Sequence, residues 1–163
     1  MTDGDFCALY DRHARRLWAY VARMTRSRAA ADDIVQEAFV RVFEAAALEG
    51  ATDDHRRRYL YKVATNLVRR RGRTEGPEED WSEPTSVEFD ADERLAVQQA
   101  LQALPVVERE ALWLAYVERW SSREVAAMLG YREGSIRQVI TRARRRFAEI
   151  FSRGSGKGNH GTG

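Results

Sequence analysis

The chain has 163 residues, 44% of them hydrophobic and 32% charged, a composition typical of a water-soluble protein with one domain or two very small ones. No segment approaches the ~20 apolar residues of a membrane span, and the first thirty residues form no signal peptide, so we expect a cytoplasmic protein without membrane insertion. The single cysteine, Cys7, excludes an internal disulfide, and the three histidines lie too far apart to form a metal-ligand cluster, so we expect no metal, no cofactor and no catalytic residues.

Charge is strongly segregated along the chain. Residues 1–74 hold fifteen basic and ten acidic side chains, residues 75–93 hold nine acidic and no basic ones, and residues 94–163 hold twelve basic and six acidic ones. Twenty-five of the twenty-seven basic residues are arginine, which suits bidentate contacts with phosphate and guanine. Two basic bodies flanking an acidic strip favour a polyanionic partner, most simply a nucleic acid.

The first seventy residues contain three apolar patterns of helical period. The first predicted helix carries Phe6, Leu9, Tyr10, His13, Leu17, Tyr20, Val21 and Met24. A second follows an N-cap at Ser27 and carries Ile34, Val35, Ala38, Phe39 and Val42. A third, near 55–71, carries Leu60, Val63, Ala64 and Leu67. Neither a convincing strand nor an internal repeat appears, so the pattern predicts an all-α fold.

The outward positions of the second predicted helix form what we call the mixed face. Its members are Asp33, Gln36, Glu37, Val40 and Arg41. A mixture of both charge signs fits a protein groove better than it fits DNA. Taken alone, however, such a face is more often simply solvated.

The third predicted helix carries a basic surface, which we call the N-terminal ridge. Its members are Lys62, Asn66, Arg69, Arg70 and Arg73, and Tyr59 and Tyr61 stand at its start. Basic groups follow phosphates, whereas asparagine and aromatic rings hydrogen-bond or stack on unpaired bases. The alternative is that both tyrosines belong to the core of the domain.

The acidic strip at 73–93 has two prolines, one glycine and no apolar period, so it is predicted to be an extended, flexible linker. The tail from Ser152 onward is rich in glycine and serine and is predicted to be disordered. The architecture is therefore two small helical domains joined by a flexible acidic linker.

The second basic body has the pattern of a helix-turn-helix. One helix carries Leu95, Leu101 and Leu104, and Pro105 is predicted at the first position of the next, roughly 106–117. The run Ser121–Glu124 is a capping box that opens a short helix ending at Gly130. A long helix then runs from about Ser135 to Phe151.

The exposed side of that long helix is a surface that we call the C-terminal ridge. Its members are Arg137, Gln138, Thr141, Arg142 and Arg145. Their spacing gives a row of hydrogen-bond donors of the size that enters a DNA major groove. The alternative is a solvated basic helix in an ordinary bundle.

Three segments, taken together, resemble a known family. DDIVQEAFVRVF, then YLYKVATNLVRRR, then ALQALPVVEREALWLAYVERWSSREVAAMLGYREGSIRQVITRARRRF are similar to bacterial sigma factors of the extracytoplasmic-function group, over about residues 5–151. The resemblance implies sigma region 2 at 1–74, the acidic linker at 75–93, sigma region 4 at 94–151 and a tail at 152–163.

The resemblance also implies roles for the three surfaces. Asp33, Gln36, Glu37 and Arg41 would contact the β′ clamp helices of core RNA polymerase. The loop near 48–57 and the set Tyr59, Tyr61, Lys62, Asn66, Arg69 and Arg70 would capture and melt the −10 element of promoter DNA. The C-terminal ridge would read the −35 element, and an anti-sigma factor would be a further partner.

Two other classes of protein fit the sequence less well than a sigma factor does. A free-standing DNA-binding regulator would use the helix-turn-helix, but it would leave the mixed face and the N-terminal ridge without a purpose. A nuclease would need a carboxylate cluster with metal geometry, and the acidic residues concentrate instead in the linker.

Overall fold

The computed structural model describes residues 1–71 and 91–156, with side chains described for 1–71 and 95–154. All regular structure in those ranges is helical, which confirms the predicted all-α class. The helices of 1–71 and those of 91–156 belong to two separate compact units. Neither range contains a helix that is long and apolar enough to cross a membrane.

The first unit consists of three α-helices. Helix α1 spans Asp3–Thr25, α2 spans Arg28–Glu44 and α3 spans Asp53–Arg71, with a single 3-10 turn at Ala46–Leu48. The predicted N-cap is confirmed, because the Ser27 hydroxyl accepts a hydrogen bond from the Ala30 backbone N–H at 3.2 Å. The short break before it, at Arg26 in the left-handed conformation, turns α2 back against α1.

The core of the first unit forms where these helices meet. Its centre contains the fully buried side chains Leu17, Tyr20, Ile34, Ala38, Leu60 and Ala64. Each large apolar side chain removed from water contributes about 1.5–3 kcal/mol. The Tyr20 hydroxyl is 2.9 Å from the Thr65 hydroxyl, so the buried polar atoms that link α1 to α3 are paired.

The second unit is built around its last helix. Helix α4 spans Ala91–Ala103 and α5 spans Val106–Leu112, continued by a π-helical turn at Trp113–Val117. Helix α6 spans Ser122–Leu129 and α7 spans Glu133–Gly156. Helices α4, α5 and α6 all pack on α7, and part of the core consists of Leu104, Leu112 and Ala143 with Leu101, Phe147 and Ile150 against them.

Helices α6 and α7 with their short connection form the predicted helix-turn-helix. The Ser121 hydroxyl accepts a hydrogen bond from the Glu124 N–H at 3.2 Å and donates one to the Glu124 carboxylate at 3.1 Å. Gly130 ends α6 with φ +77°, a conformation that glycine adopts without strain. Ile136 and Val139 return α7 to the core, as the apolar pattern predicts.

The junction between α4 and α5 is held by a buried arginine. The Arg109 guanidinium donates to the backbone carbonyls of Leu101, Gln102 and Leu104, so it satisfies carbonyls at the end of α4. Pro105 is the N-cap of α5, not its first helical residue as predicted, because its extended backbone (ψ 148°) leaves only its carbonyl to accept the first helical bond.

Two predicted boundaries are corrected. Helix α4 begins at Ala91, so the last three residues of the predicted linker are helical, since 91–103 contain no glycine or proline to interrupt a helix. The rest of the predicted linker lies outside the described residues. Helix α7 continues to Gly156, beyond the predicted end at Phe151, because adding a turn to an existing helix costs far less than starting one. The remainder of the predicted tail also lies outside the described residues.

Candidate interface surfaces

The structure brings all members of the C-terminal ridge together on one exposed side of α7. Arg137, Gln138, Thr141, Arg142 and Arg145 line a single shallow depression. The Thr141 hydroxyl donates to the Arg137 carbonyl at 2.9 Å, which leaves its oxygen lone pairs facing outward. Gln138 and Arg145 have no hydrogen bond or ion pair to other residues within 1–71 and 91–156, so their polar groups are available to a ligand.

Two arginines of the C-terminal ridge are already engaged. Arg137 forms an ion pair with Glu133 one turn earlier, at 2.7 Å, and both side chains are exposed. Such surface pairs contribute little to stability, so a phosphate can replace Glu133 at low cost. Arg142 differs, because its Nε lies 3.0 Å from the carboxylate of Glu108, a side chain that is only 3% exposed.

The N-terminal ridge lies on the exposed side of α3. Lys62, Asn66, Arg69 and Arg70 all face solvent, and Tyr59 is half-buried beside them. Arg73, which the sequence pattern includes, lies outside the described residues. The ridge therefore presents an amide and several cations on one helical face, the combination predicted for a single-stranded nucleic acid.

Tyr61 is the member of the predicted −10 set that the structure contradicts. Its side chain is 1% exposed, and its ring lies 5.5 Å from that of Tyr20 in the core. Tyr61, Ala64 and Val68 follow the helical period of the buried face of α3, so the alternative reading as a core residue is correct for this tyrosine. The helical spacing of Tyr61 with these apolar residues was the signal in the sequence that its side chain is buried.

The predicted loop at 48–57 is shorter in the structure. Helix α3 begins at Asp53, so only 49–52 connect it to the 3-10 turn, and Gly50 adopts φ +71° there. Asp54 in the first turn is bound by Arg57 at 2.9 Å and also by Arg58. The hydrogen bond from Arg57 is the main cause of a lowered pKa of the Asp54 carboxyl. Asp54 therefore neutralises part of the positive charge of Arg57 and Arg58.

The mixed face lies on the exposed side of α2, as predicted, and a residue of α3 joins it. Glu37 accepts hydrogen bonds from Arg41 at 2.6 Å and from Arg71 at 2.8 Å, and these two bonds lower the pKa of its carboxyl. Arg71 also approaches Asp33 at 3.8 Å. Sequence reasoning missed Arg71, because its contact with α2 arises only when α2 and α3 pack together.

An aromatic groove between α1 and α2 adjoins the mixed face. The ring of Phe39 lies 4.9 Å from that of Tyr10 and 6.0 Å from that of Phe6. Tyr10 and Val40 are about half exposed, at 49% and 48%, and Gln36 lines both the groove and the mixed face. The sequence pattern assigned Phe6 and Tyr10 to the core face of α1, whereas the structure leaves them at the edge of an open surface.

Two family models match the chain. The model for sigma-70 region 2 matches residues 9–77, and the model for sigma-70 region 4 matches residues 94–147. These matches cover the helices that carry the N-terminal ridge and the mixed face in one case, and the helix-turn-helix in the other.

Curated relatives match most of the chain. The extracytoplasmic-function RNA polymerase sigma factor SigL of Mycobacterium tuberculosis is 31% identical over 146 residues, which cover 82% of this chain and 81% of that protein. The RNA polymerase sigma factor CarQ of Myxococcus xanthus is 31% identical over 154 residues, which cover 88% and 87%.

Solved structures share the fold. The sigma factor RpoE of Bartonella quintana, solved with the anti-sigma factor NepR, superposes with a TM-score of 0.72 at 22% identity, covering 91% of this chain and 97% of that one. CnrH, solved with the cytosolic domain of CnrY, gives a TM-score of 0.69 at 24% identity, covering 93% and 90%.

Proposed function

The chain belongs to the sigma-70 family of RNA polymerase sigma factors, in its extracytoplasmic-function group, and from this premise we propose how its surfaces direct promoter-specific transcription initiation. The family match over both regions is the observation that carries the proposal. The chain would bind core RNA polymerase in the cytoplasm, bring it to promoters and help to separate the DNA strands there. Sigma region 2 would occupy 1–74, and sigma region 4 would occupy 94–151.

The C-terminal ridge is the proposed reader of the −35 element. Gln138 and Arg145 offer unengaged donors, and Arg137 can exchange its carboxylate partner for a phosphate. A good bidentate side-chain contact contributes about 1–3 kcal/mol of discrimination between bases. The length of α7 and its placement after the turn at Gly130 support this role.

The N-terminal ridge is the proposed site of −10 capture and melting, with Tyr61 removed from the DNA-binding set. Lys62, Arg69 and Arg70 would follow the phosphates, whereas Asn66 would hydrogen-bond an unpaired base. Tyr59, half-buried at the edge of the ridge, remains available for stacking. Arg70 adds a further exposed cation to this ridge.

The mixed face is the proposed contact with the β′ clamp helices of core polymerase. Asp33, Gln36, Glu37 and Arg41 supply its polar part, and Val40 joins it to the aromatic groove. A protein partner would cover the half-exposed rings there and gain the apolar area that they leave in water. An anti-sigma factor is a further proposed partner, since the sigma factor RpoE was solved with the anti-sigma factor NepR, and CnrH was solved with the cytosolic domain of CnrY.

We propose that the chain acts by binding and not as an enzyme, as is typical of its family. Strand separation would draw on the binding energy of exposed bases, and stacking on an aromatic ring is worth about 1–3 kcal/mol per base. No bond in the DNA would be made or broken by this chain.

Transcription by the reconstituted holoenzyme tests the proposal. The full chain is mixed with core RNA polymerase, and transcript start sites are mapped on genomic DNA against core polymerase alone. We expect co-elution with core polymerase and a defined set of new starts that share two sequence elements. A chain that binds duplex DNA but neither co-elutes with core polymerase nor adds starts would instead be a free-standing regulator.

The role of Asn66 is tested by comparing a duplex promoter with the same promoter carrying a pre-opened bubble. Asn66→Ala should reduce transcription from the duplex because the captured base loses its hydrogen bond, by about 5- to 150-fold for a contact of about 1–3 kcal/mol. The defect should largely disappear on the bubble template. Lys62→Ala is the matched control, since loss of a phosphate contact weakens binding to both templates. Equal transcription by the Asn66 variant and the parent on the duplex would refute the assignment.

A further inference from the structure

Glu108 is a buried carboxylate that holds two arginines of α7. It lies in α5 with its side chain only 3% exposed. Its Oε1 lies 3.0 Å from Nε of Arg142 and 3.1 Å from Nη1 of Arg146. Arg142 and Arg146 are one helical turn apart, so a single carboxylate binds both from the same side.

The use of Nε decides what Arg142 can present to a ligand. A guanidinium carries five N–H donors in one rigid plane, and the donor on Nε is the one that Glu108 takes. The two terminal nitrogens have no other protein partner within the described parts of the chain, and the side chain is 51% exposed. Glu108 therefore restrains the guanidinium plane of Arg142 at its Nε edge. The two terminal nitrogens, whose donors suit guanine or phosphate, stay free.

The charge of Glu108 has a second effect on the same surface. Arg142, Arg145 and Arg146 bring three cations close together on α7, and Glu108 neutralises part of that charge. Attraction to any DNA phosphate grows with the number of uncompensated cations, whatever the sequence. A carboxylate at this place thus lowers attraction to all DNA while it orients one arginine.

We propose that Glu108 is a positioning residue for upstream-element recognition, which orients the Arg142 guanidinium so that its terminal nitrogens meet one base pair. The inference rests on the proposed function of the C-terminal ridge and adds to it a residue that touches no DNA. A residue with a merely structural role would, when changed, weaken specific and non-specific binding together. A change of Glu108 should instead weaken specific binding without weakening non-specific binding.

The test uses the full chain assembled with core RNA polymerase and a pool of promoter duplexes whose upstream element is randomised. Sequencing of the bound DNA gives the base preference at each position. Glu108→Gln should lower the preference at one base pair by at least about 5-fold, the lower limit for a bidentate contact. That base pair should be the one whose preference Arg142→Ala removes. The other positions should keep their preference, and binding to random duplex should stay equal or rise.

Arg146→Ala is the matched control, because it removes the other arginine and leaves the Glu108–Arg142 pair in place. It should keep the full preference profile. The double variant Glu108→Gln with Arg142→Ala should show the same profile as Arg142→Ala alone, since Glu108 acts only through Arg142.

A second variant guards against a loss of folding in Glu108→Gln, which a melting curve detects. Arg142→Lys keeps the charge, but an ammonium cannot bind Glu108 and present a planar pair of donors at once, so it should lose the same base preference. The proposal is overturned if Arg142→Lys keeps that preference, or if Glu108→Gln changes no position or all positions equally. A parent holoenzyme without any upstream preference would overturn the proposed −35 role itself, and with it this inference.

Discussion

Tyr61 and Asn66 lie little more than one turn apart on α3, yet one faces the core and the other faces solvent. Tyr61 is 1% exposed and packs against Tyr20, whereas Asn66 faces solvent between the cations of the N-terminal ridge. Glu108 and Arg109 are neighbours that are both buried, yet Glu108 contacts two exposed arginines of α7 whereas Arg109 closes the end of α4. Burial thus separates Tyr61, which belongs to the core, from Asn66, which is accessible to a partner.

Truncation of these two α3 residues should have very different effects on stability. Tyr61→Ala should lower the free energy of unfolding by about 3–5 kcal/mol, because it leaves a cavity beside Tyr20. Asn66→Ala, the matched surface control, should change it by less than about 0.5 kcal/mol. Urea unfolding followed by circular dichroism measures both. A Tyr61 variant as stable as the Asn66 variant would return Tyr61 to the list of exposed candidates.

At the scale of elements, the connections between helices decide where each surface points. The turn between α6 and α7 depends on Gly130 at φ +77°, with open space around the position of a Cβ. The contact between α2 and α3 depends on Arg71, which joins Glu37 and Asp33 across the two helices. Each connection can be tested through its own matched pair of variants.

Gly130→Ala should destabilise the second unit by about 1–2 kcal/mol, because the left-handed conformation is unfavourable for alanine even where no atom contacts its Cβ. Gly134→Ala is the control, because that glycine lies in the first turn of α7 with ordinary φ and open space. It should stabilise the chain by about 0.4–1 kcal/mol. Thermal melting should show a lower melting temperature for Gly130→Ala and a higher one for Gly134→Ala. A melting temperature raised by Gly130→Ala would contradict the turn geometry.

The pKa of the Glu37 carboxyl provides a test of the contact between α2 and α3. Hydrogen bonds from Arg41 first and Arg71 second lower the pKa of its carboxyl below the usual range of glutamate. The stabilising contribution is therefore present above the pKa of the unfolded chain and is lost as pH falls through the lower pKa of the folded chain. Arg71→Ala should raise the Glu37 pKa toward its usual range, as followed by carbon NMR of the carboxyl.

Arg57→Ala is the control for that titration. It should raise the pKa of Asp54, whose main donor is Arg57, and leave Glu37 unchanged. A Glu37 pKa that stays the same in Arg71→Ala would mean that Arg71 does not hold the two helices at this point.

The apolar period predicted the α-helices, and the exposed positions of α7 predicted the whole C-terminal ridge, because a helix fixes which side chains share a face. The contacts of Glu108 and Arg71 were beyond the sequence, since each joins residues thirty-four positions apart through packing of two helices. The π-helical turn at Trp113–Val117 was also missed, because it has the same apolar spacing as the α-helix that it continues.

At the scale of the whole molecule, the chain consists of two compact units with separate cores. Leu17 and Ile34 lie fully buried in the first, and Leu114 and Ile136 in the second. The proposed division of labour follows the same boundary, with −10 capture and polymerase binding in one unit and −35 reading in the other.

Separate cores predict separate unfolding transitions. Leu17→Ala should destabilise the first unit by about 2–5 kcal/mol, and Ile136→Ala should do the same to the second. Hydrogen exchange read by mass spectrometry should show faster exchange only in the helices of the changed unit in each case. Equal acceleration in both units by either variant would mean that the chain unfolds as one cooperative body.

The π-helical turn affects where the chain can tolerate the deletion of a single residue. The hydrogen bond from the Glu118 N–H to the Trp113 carbonyl encloses one residue more than an α-helical turn does. Loss of a single codon within 113–117 would let the helix close with α-helical bonds and keep the following turn in register. Loss of a codon early in α7 would instead rotate every later side chain by about 100°. A deletion at an exposed position of 113–117 should therefore be tolerated better than one early in α7, which would move Arg142 away from Glu108 and from the proposed DNA-binding surface.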